Sequence, residues 1–159
     1  MRHSIKSLLA SIFVSLFPVA SAVAGPYEDG LAAYNRGDYA TALRLFPPLA
    51  EQGNALSQRE LGVMFYEGKG VKQDYAKAVE LFRKAAEQGD AYAQYNLGQM
   101  YDKGKGVKQD YVETHKWVSL AAAQGLKKAI ENREMVASQL TPAQMTEAQR
   151  LAREWKPKK

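Results

Sequence analysis

Residues 55–90 read ALSQRELGVMFYEGKGVKQDYAKAVELFRKAAEQGD, and residues 91–126 read AYAQYNLGQMYDKGKGVKQDYVETHKWVSLAAAQGL. The two stretches align at an offset of 36 residues without a gap. Leu61-Gly62 matches Leu97-Gly98, and Phe65 matches Tyr101. Gly68 to Tyr75, GKGVKQDY, recurs unchanged as Gly104 to Tyr111. Ala85-Ala86 returns as Ala121-Ala122, and Gln88-Gly89 as Gln124-Gly125. Self-similarity at a fixed period of this length marks a stacked repeat architecture.

Each copy predicts two helices. Ala93, Leu97 and Tyr101 recur at steps of four, a helical spacing, while Ala91, Tyr95, Gly98 and Asp102 mark another face. Gly104 and Gly106 end the first helix, because glycine accepts the left-handed backbone found there. Asp110 starts the second helix as its cap, and Glu113 three residues on gives the form of a capping box. Asp38 and Asp74 hold the same capping place in their copies. Gly53, Gly89 and Gly125 close the second helices. Gly62, Gly98 and the two Ala-Ala pairs let helix backbones approach closely. A lone helix pair cannot bury its apolar stripe, so the copies must stack.

A shorter copy precedes them, from about Pro26 to Asn54. Asp38-Tyr39 aligns with Asp74-Tyr75, Ala42 with Ala78 and Gly53 with Gly89. Before Asp38 the register slips by four, so Gly30 aligns with Gly62 and Tyr34 with Tyr66. After the last copy, Lys127 to Leu140 predicts a helix with Ile130, Arg133, Val136 and Leu140 on one stripe. Thr141-Pro142-Ala143-Gln144 then starts another, with a Thr cap, an early Pro and Gln at the capping-box position. Met145, Ala148, Ala152 and Trp155 form its apolar edge. That edge is expected to seal the open end of the stack, and Lys156 to Lys159 to fray.

Residues 1–24, MRHSIKSLLASIFVSLFPVASAVA, have the form of a secretory signal peptide. Arg2 and Lys6 give a positive start, Ser7 to Ala20 is uncharged and mainly apolar, and Ala22-Val23-Ala24 is a small-x-small cleavage site. Cleavage is expected after Ala24. A retained membrane anchor is the alternative, against which Pro18 and the Ala-x-Ala end argue. The organisation expected is therefore a signal peptide over 1–24, a helix pair over 25–54, repeats over 55–90 and 91–126, and capping helices with a basic tail over 127–159. The signal looks bacterial and places the mature chain in the periplasm or outside the cell, with no stable membrane span.

Composition narrows the chemistry. The 159 residues are 46% hydrophobic and 25% charged, the balance of a folded globular chain. There is no cysteine, which excludes disulfides, thiolate metal sites, cysteine nucleophiles and a lipoprotein anchor. Two histidines, His3 and His115, are too few for a histidine metal cage. No metal, cofactor or catalytic set is expected. The net charge of +5 falls to +3 without residues 1–24, which carry two basic residues and no acidic ones. That modest charge does not mark a nucleic-acid binder.

Four features invite chemistry. The GKGVKQD loops resemble phosphate-cradling loops, but a helix precedes them and Asp follows, so they read as structural turns. Lys69, Lys72, Lys105 and Lys108 repeat along one edge and read as solvated loop lysines, or as a basic ridge for an anionic partner. Acidic pairs such as Glu67 and Asp102 have the type for acid–base work, with nothing to fix a nucleophile. His115, beside Trp117, has no companion ligand. Tyr75, Tyr101 and Tyr111 fall at core positions of the repeats.

The string A-x-A-x-x-x-L-G-x-x-Y-x-x-G-x-G-V-x-x-D-Y over Ala91 to Tyr111 resembles the Sel-one-like repeat family. Residues 55–90 match it too, with Phe65 at the tyrosine place and Ser57 at the second alanine. The first copy, with Gly37-Asp38-Tyr39 and Ala42, looks more like a tetratricopeptide repeat. The resemblance implies an all-α fold, a right-handed α-solenoid of stacked antiparallel helix pairs whose first helices line a concave surface. It implies a protein-interaction adaptor. Some bacterial members carry a disulfide in each repeat and bind or hydrolyse β-lactams. This chain, without cysteine, departs from that branch, and a cell-envelope enzyme is the disfavoured alternative.

Carried over to this chain, the register places Tyr27, Tyr34, Leu56, Arg59, Val63, Tyr66, Tyr92, Tyr95, Gln99 and Asp102 toward the concave face. Tyrosine and arginine suit interfaces because they offer large contact area with a polar end. The expectation is a monomer that holds a protein or peptide partner on this face. Several of these tyrosines have inter-helix packing as their alternative role.

Overall fold

The computed structural model describes residues 25–158, so the expected signal peptide lies outside the described residues. Eight helices follow one another: α1 (Pro26–Asn35), α2 (Tyr39–Glu51), α3 (Ala55–Glu67), α4 (Tyr75–Glu87), α5 (Ala91–Lys103), α6 (Tyr111–Ala123), α7 (Lys127–Ala137) and α8 (Pro142–Glu154). No strand occurs among the described residues. The fold is all-α, an α-solenoid of the tetratricopeptide-like kind. The pairs α1/α2, α3/α4 and α5/α6 pack within themselves, and each second helix packs on the first helix of the next pair.

The caps explain where the helices begin. Asp38 accepts from the Thr41 N–H at 3.1 Å, and Asp74 from Lys77 at 2.9 Å. Asp110 accepts from Val112 and Glu113 at 2.9 and 3.0 Å. Glu113 does not complete a capping box. Its carboxylate accepts instead from the Trp117 Nε1–H at 2.9 Å and from Lys116 at 3.1 Å, because a buried indole N–H must find an acceptor. Asn54 and Asp90 cap α3 and α5 in the same way, accepting from Ser57 and Ala93 at 2.8 and 2.7 Å. Thr141 and Gln144 do form the reciprocal box.

Packing follows the small residues. A Cβ on Gly62 would lie 2.8 Å from the Phe82 ring, and one on Gly98 2.9 Å from Val118 Cγ2. Phe46, Met64, Leu97 and Val118 are fully enclosed. Each buried side chain of this size contributes about 1.5–3 kcal/mol.

The last helices depart from expectation. α7 ends at Ala137, and its inward face is Ala129 and Val136, while Ile130 is 45% exposed. Arg133 also faces solvent. α8 does not pair with α7 as α4 pairs with α3, but packs on α6. Its terminal Trp155 meets the Trp117 ring edge-on at 6.4 Å between centroids. Nor does the tail fray where it is described. The Lys158 N–H donates to the Glu87 carbonyl at 2.7 Å, and its ammonium pairs with the Glu87 carboxylate at 2.8 Å. Trp155 pulls the chain back across the α4–α5 turn.

Candidate functional site

The helices α1, α3 and α5 carry every residue expected on the binding face. Arg59, on α3, draws the first group together. Its guanidinium donates to Glu60 at 2.6 Å, to Asp90 at 2.9 Å and to the Tyr27 hydroxyl at 3.3 Å, and it stands 5.4 Å from the Tyr92 ring centre. Burial works against the charge on Arg59, but its bonds to Glu60 and the Asp90 carboxylate outweigh that and hold it protonated. Burial, helped by the Glu60 charge, pushes the Tyr27 hydroxyl above the ordinary tyrosine range. Asp90 also caps α5, so one carboxylate joins two repeats.

Tyr34 and Tyr66 are drawn into a different task. The Lys69 ammonium donates to the Tyr34 hydroxyl at 3.0 Å and to Glu67 at 2.7 Å, while lying 4.9 Å from the Tyr34 ring centre and 5.9 Å from that of Tyr39. One repeat later Lys105 donates to the Tyr66 hydroxyl at 3.3 Å and lies 5.1 and 4.9 Å from the rings of Tyr66 and Tyr75. Ammonium over a tyrosine face is an attraction of about 0.5–1 kcal/mol where solvent reaches it. Bonds to Glu67 and Tyr34 raise the Lys69 pKa, and bonds to the two tyrosines raise that of Lys105. These lysines therefore clamp each loop onto the preceding repeat and form neither a free ridge nor solvated loop ends. Lys72 and Lys108 stay exposed. Tyr75 stands in this clamp and Tyr111 at a surface recess. Of the three tyrosines expected in the core, only Tyr101 is buried, its hydroxyl accepting from Arg83 at 2.8 Å.

Two recesses open along the same face. One, of about 300 Å³ between α3 and α5, is lined by Val63, Tyr66, Glu67, Tyr95, Gln99 and Lys103, among others. The other, of about 220 Å³ between α5 and α7, is lined by Gln99, Asp102, Tyr111, Asn132, Met135 and Gln139, with Val136 at its base. Gln99 belongs to both. Tyr95 accepts from the Asn132 side chain at 3.1 Å, and burial together with the Asp102 and Glu131 charges raises its pKa. Glu67 and Asp102 fall in separate recesses and make no acid–base pair. His115 is buried beside Ser119 Oγ at 3.3 Å, and burial with the Arg133 charge lowers its pKa. No cluster of three metal-ligating side chains occurs among the described residues.

The sequence reading missed a glutamine ladder. Gln58 and Gln94 are buried and donate to the carbonyls of Ala50 and Ala86 at 3.0 and 3.2 Å. They accept in turn from Gln88 and Gln124 at 2.8 and 2.9 Å. Their recurrence at the repeat offset was the available signal.

Residues 55–90 and 91–126 each match the family model described as Sel1 repeat. A crystal structure of a Sel1 repeat protein from Oxalobacter formigenes is 34% identical with a TM-score of 0.63, over 69% of this chain and 85% of that one. The chain belongs to the Sel1 repeat family. Another similar structure is c5321, a protective antigen of uropathogenic Escherichia coli strains that displays an SLR fold, 32% identical with a TM-score of 0.78 over 82% of this chain. This Sel1 repeat protein spans 29% of the length of c5321. No curated protein matches it. As a Sel1 repeat protein it has the fold commonly used as a protein-interaction scaffold, and no helix among its described residues is long and apolar enough to cross a membrane.

Proposed function

We propose that this Sel1 repeat protein is an exported adaptor that holds a protein or peptide on its concave face. One observation carries the reading. Of the four most exposed large apolar side chains among the described residues, three, Leu56, Tyr92 and Met135, stand at concave-face places of the repeat unit, Met135 at the place of Val63 and Gln99. An apolar set gathered on one face and interleaved with polar recesses is what a recognition surface presents. Arg59, held by Glu60 and Asp90, keeps Tyr92 in place and lowers the ordering cost of binding. Val63, Tyr95 and Gln99 would line the groove beside it, with Tyr27 and Tyr34 at the amino-terminal end.

The signal-like segment supports export to the periplasm or beyond, and c5321, similar in fold, is a protective antigen. The reading is of a monomeric, non-catalytic protein without cofactor. Crosslinking in cells followed by mass spectrometry identifies the partner. Tyr92→Ala with Gln99→Ala should then abolish its capture while the melting curve barely moves. Capture by that folded double variant at the wild-type level overturns the groove, and turnover of nitrocefin or peptidoglycan by the purified protein overturns the adaptor.

A further inference from the structure

The lysine clamp is built twice and then left open. Tyr34 and Tyr39 receive Lys69; Tyr66 and Tyr75 receive Lys105. By the same register the third position is Asp102 and Tyr111. The residues that would bring its lysine are Ser138 to Thr141, between α7 and α8, and they contain none. What stands there is the recess of about 220 Å³ with Asp102 and Tyr111 in its wall.

The replacement of tyrosine by Asp102 strengthens the preference for a cation. A carboxylate offers an ammonium a charge-assisted hydrogen bond, roughly twice as strong as one to a neutral acceptor. Asp102 takes part in no ion pair among the described residues. Its backbone carbonyl is held by the Gln109 side chain at 2.7 Å, and the same amide reaches the Tyr111 hydroxyl at 3.1 Å. Gln109 thus ties the Tyr111 hydroxyl to the backbone of Asp102. Met135, 67% exposed, lies along the same recess and gives the methylene stem of a long side chain an apolar wall.

We infer that the recess between Asp102 and Tyr111 receives a lysine side chain of the bound protein, its ammonium on the Asp102 carboxylate and its stem against Met135. The partner's being a protein rests on the adaptor reading above; the ammonium preference rests on the recess itself. The partner's lysine completes the third clamp as Lys69 and Lys105 complete the first two.

The test titrates N-acetyl-Gly-Lys-Gly-amide into the isotope-labelled protein and follows amide resonances by NMR. Shifts at Gln99, Asp102, Asn132 and Gln139 are expected, fading with salt. The norleucine peptide, which lacks the ammonium, should leave them unmoved. Asp102→Asn should weaken the lysine response about tenfold or more while the rest of its spectrum superimposes on the wild type. Equal shifts with lysine and norleucine, or none with either, overturn the inference. Binding of n-butylamine as tight as that of the peptide also overturns it, since a free amine is then the ligand. A protein that captures its partner through Tyr92 and Gln99 yet ignores the lysine peptide loses this inference alone.

Discussion

The side chain of Gln124 donates to that of Gln94 at 2.9 Å, as Gln88 donates to Gln58 at 2.8 Å one repeat earlier. Gln94 is fully buried and passes the connection to the Ala86 carbonyl at the end of the preceding repeat. Gln94→Leu keeps the volume but strips both bonds inside the core. It should lower stability by about 2 kcal/mol, the cost of buried groups left unpaired. Urea unfolding with an unchanged slope checks this, and Gln124→Ala, at the exposed end of the ladder, should cost less than about 1 kcal/mol.

Ser57 predicts the opposite sign. It occupies the place that Ala93 holds in the next repeat, and its hydroxyl is fully buried with no partner among the described residues. Ser57→Ala removes a desolvated polar group at little loss of packing. Stability should rise by about 1 kcal/mol, read as a higher denaturant midpoint.

The GKG loops give a graded pair. Gly70 has φ +72° and Gly106 φ +66°, a backbone region that L side chains rarely adopt. A Cβ on Gly70 would meet Tyr39 Cβ at 2.6 Å, whereas one on Gly106 would strike the backbone carbonyl of Tyr75. Gly70→Val and Gly106→Val should each cost more than about 1 kcal/mol. The loss should be greater at Gly106, where backbone must move. Melting curves of the two variants decide the order.

His115 should make stability pH-dependent. Burial and the Arg133 charge hold its pKa below the usual histidine value, so the folded state favours the neutral ring. The unfolded chain then binds the proton more readily, and stability rises with pH. The contribution is full above the unfolded value of about 6.5 and is lost as pH falls through the lower folded pKa. His115→Gln should flatten that slope in urea midpoints compared from mildly acidic to neutral pH.

The fold was legible because a gapless 36-residue offset left one class of architecture. The Asp38, Asp74 and Asp110 caps were legible because capping is local. The clamps and the ladder were not. Lys69 reaches back 35 residues to Tyr34, and Gln88 reaches back 30 to Gln58. Between such residues no local spacing acts, and lysine and glutamine read as solvent-facing types. The face of α7 was misjudged because the repeat register stops at Leu126. Ile130 holds the place of Gln58 and Gln94, and its apolar type suggested burial although no second helix of α7's own repeat packs there. That Trp155 would meet Trp117 of α6 was not legible either, since an aromatic edge in sequence does not say which neighbour it meets.

Two joints between successive hairpins recur at matching places in the repeat unit: Gln58 on the Ala50 carbonyl and Gln94 on the Ala86 carbonyl, and Lys69 with Tyr34 and Tyr39 and Lys105 with Tyr66 and Tyr75. A gene segment encoding residues 55–90, copied in tandem, would therefore arrive with its own fittings, and the flanking caps would need no adjustment. Unequal recombination between the two near-identical segments could lengthen or shorten such a protein in whole units while leaving both termini untouched.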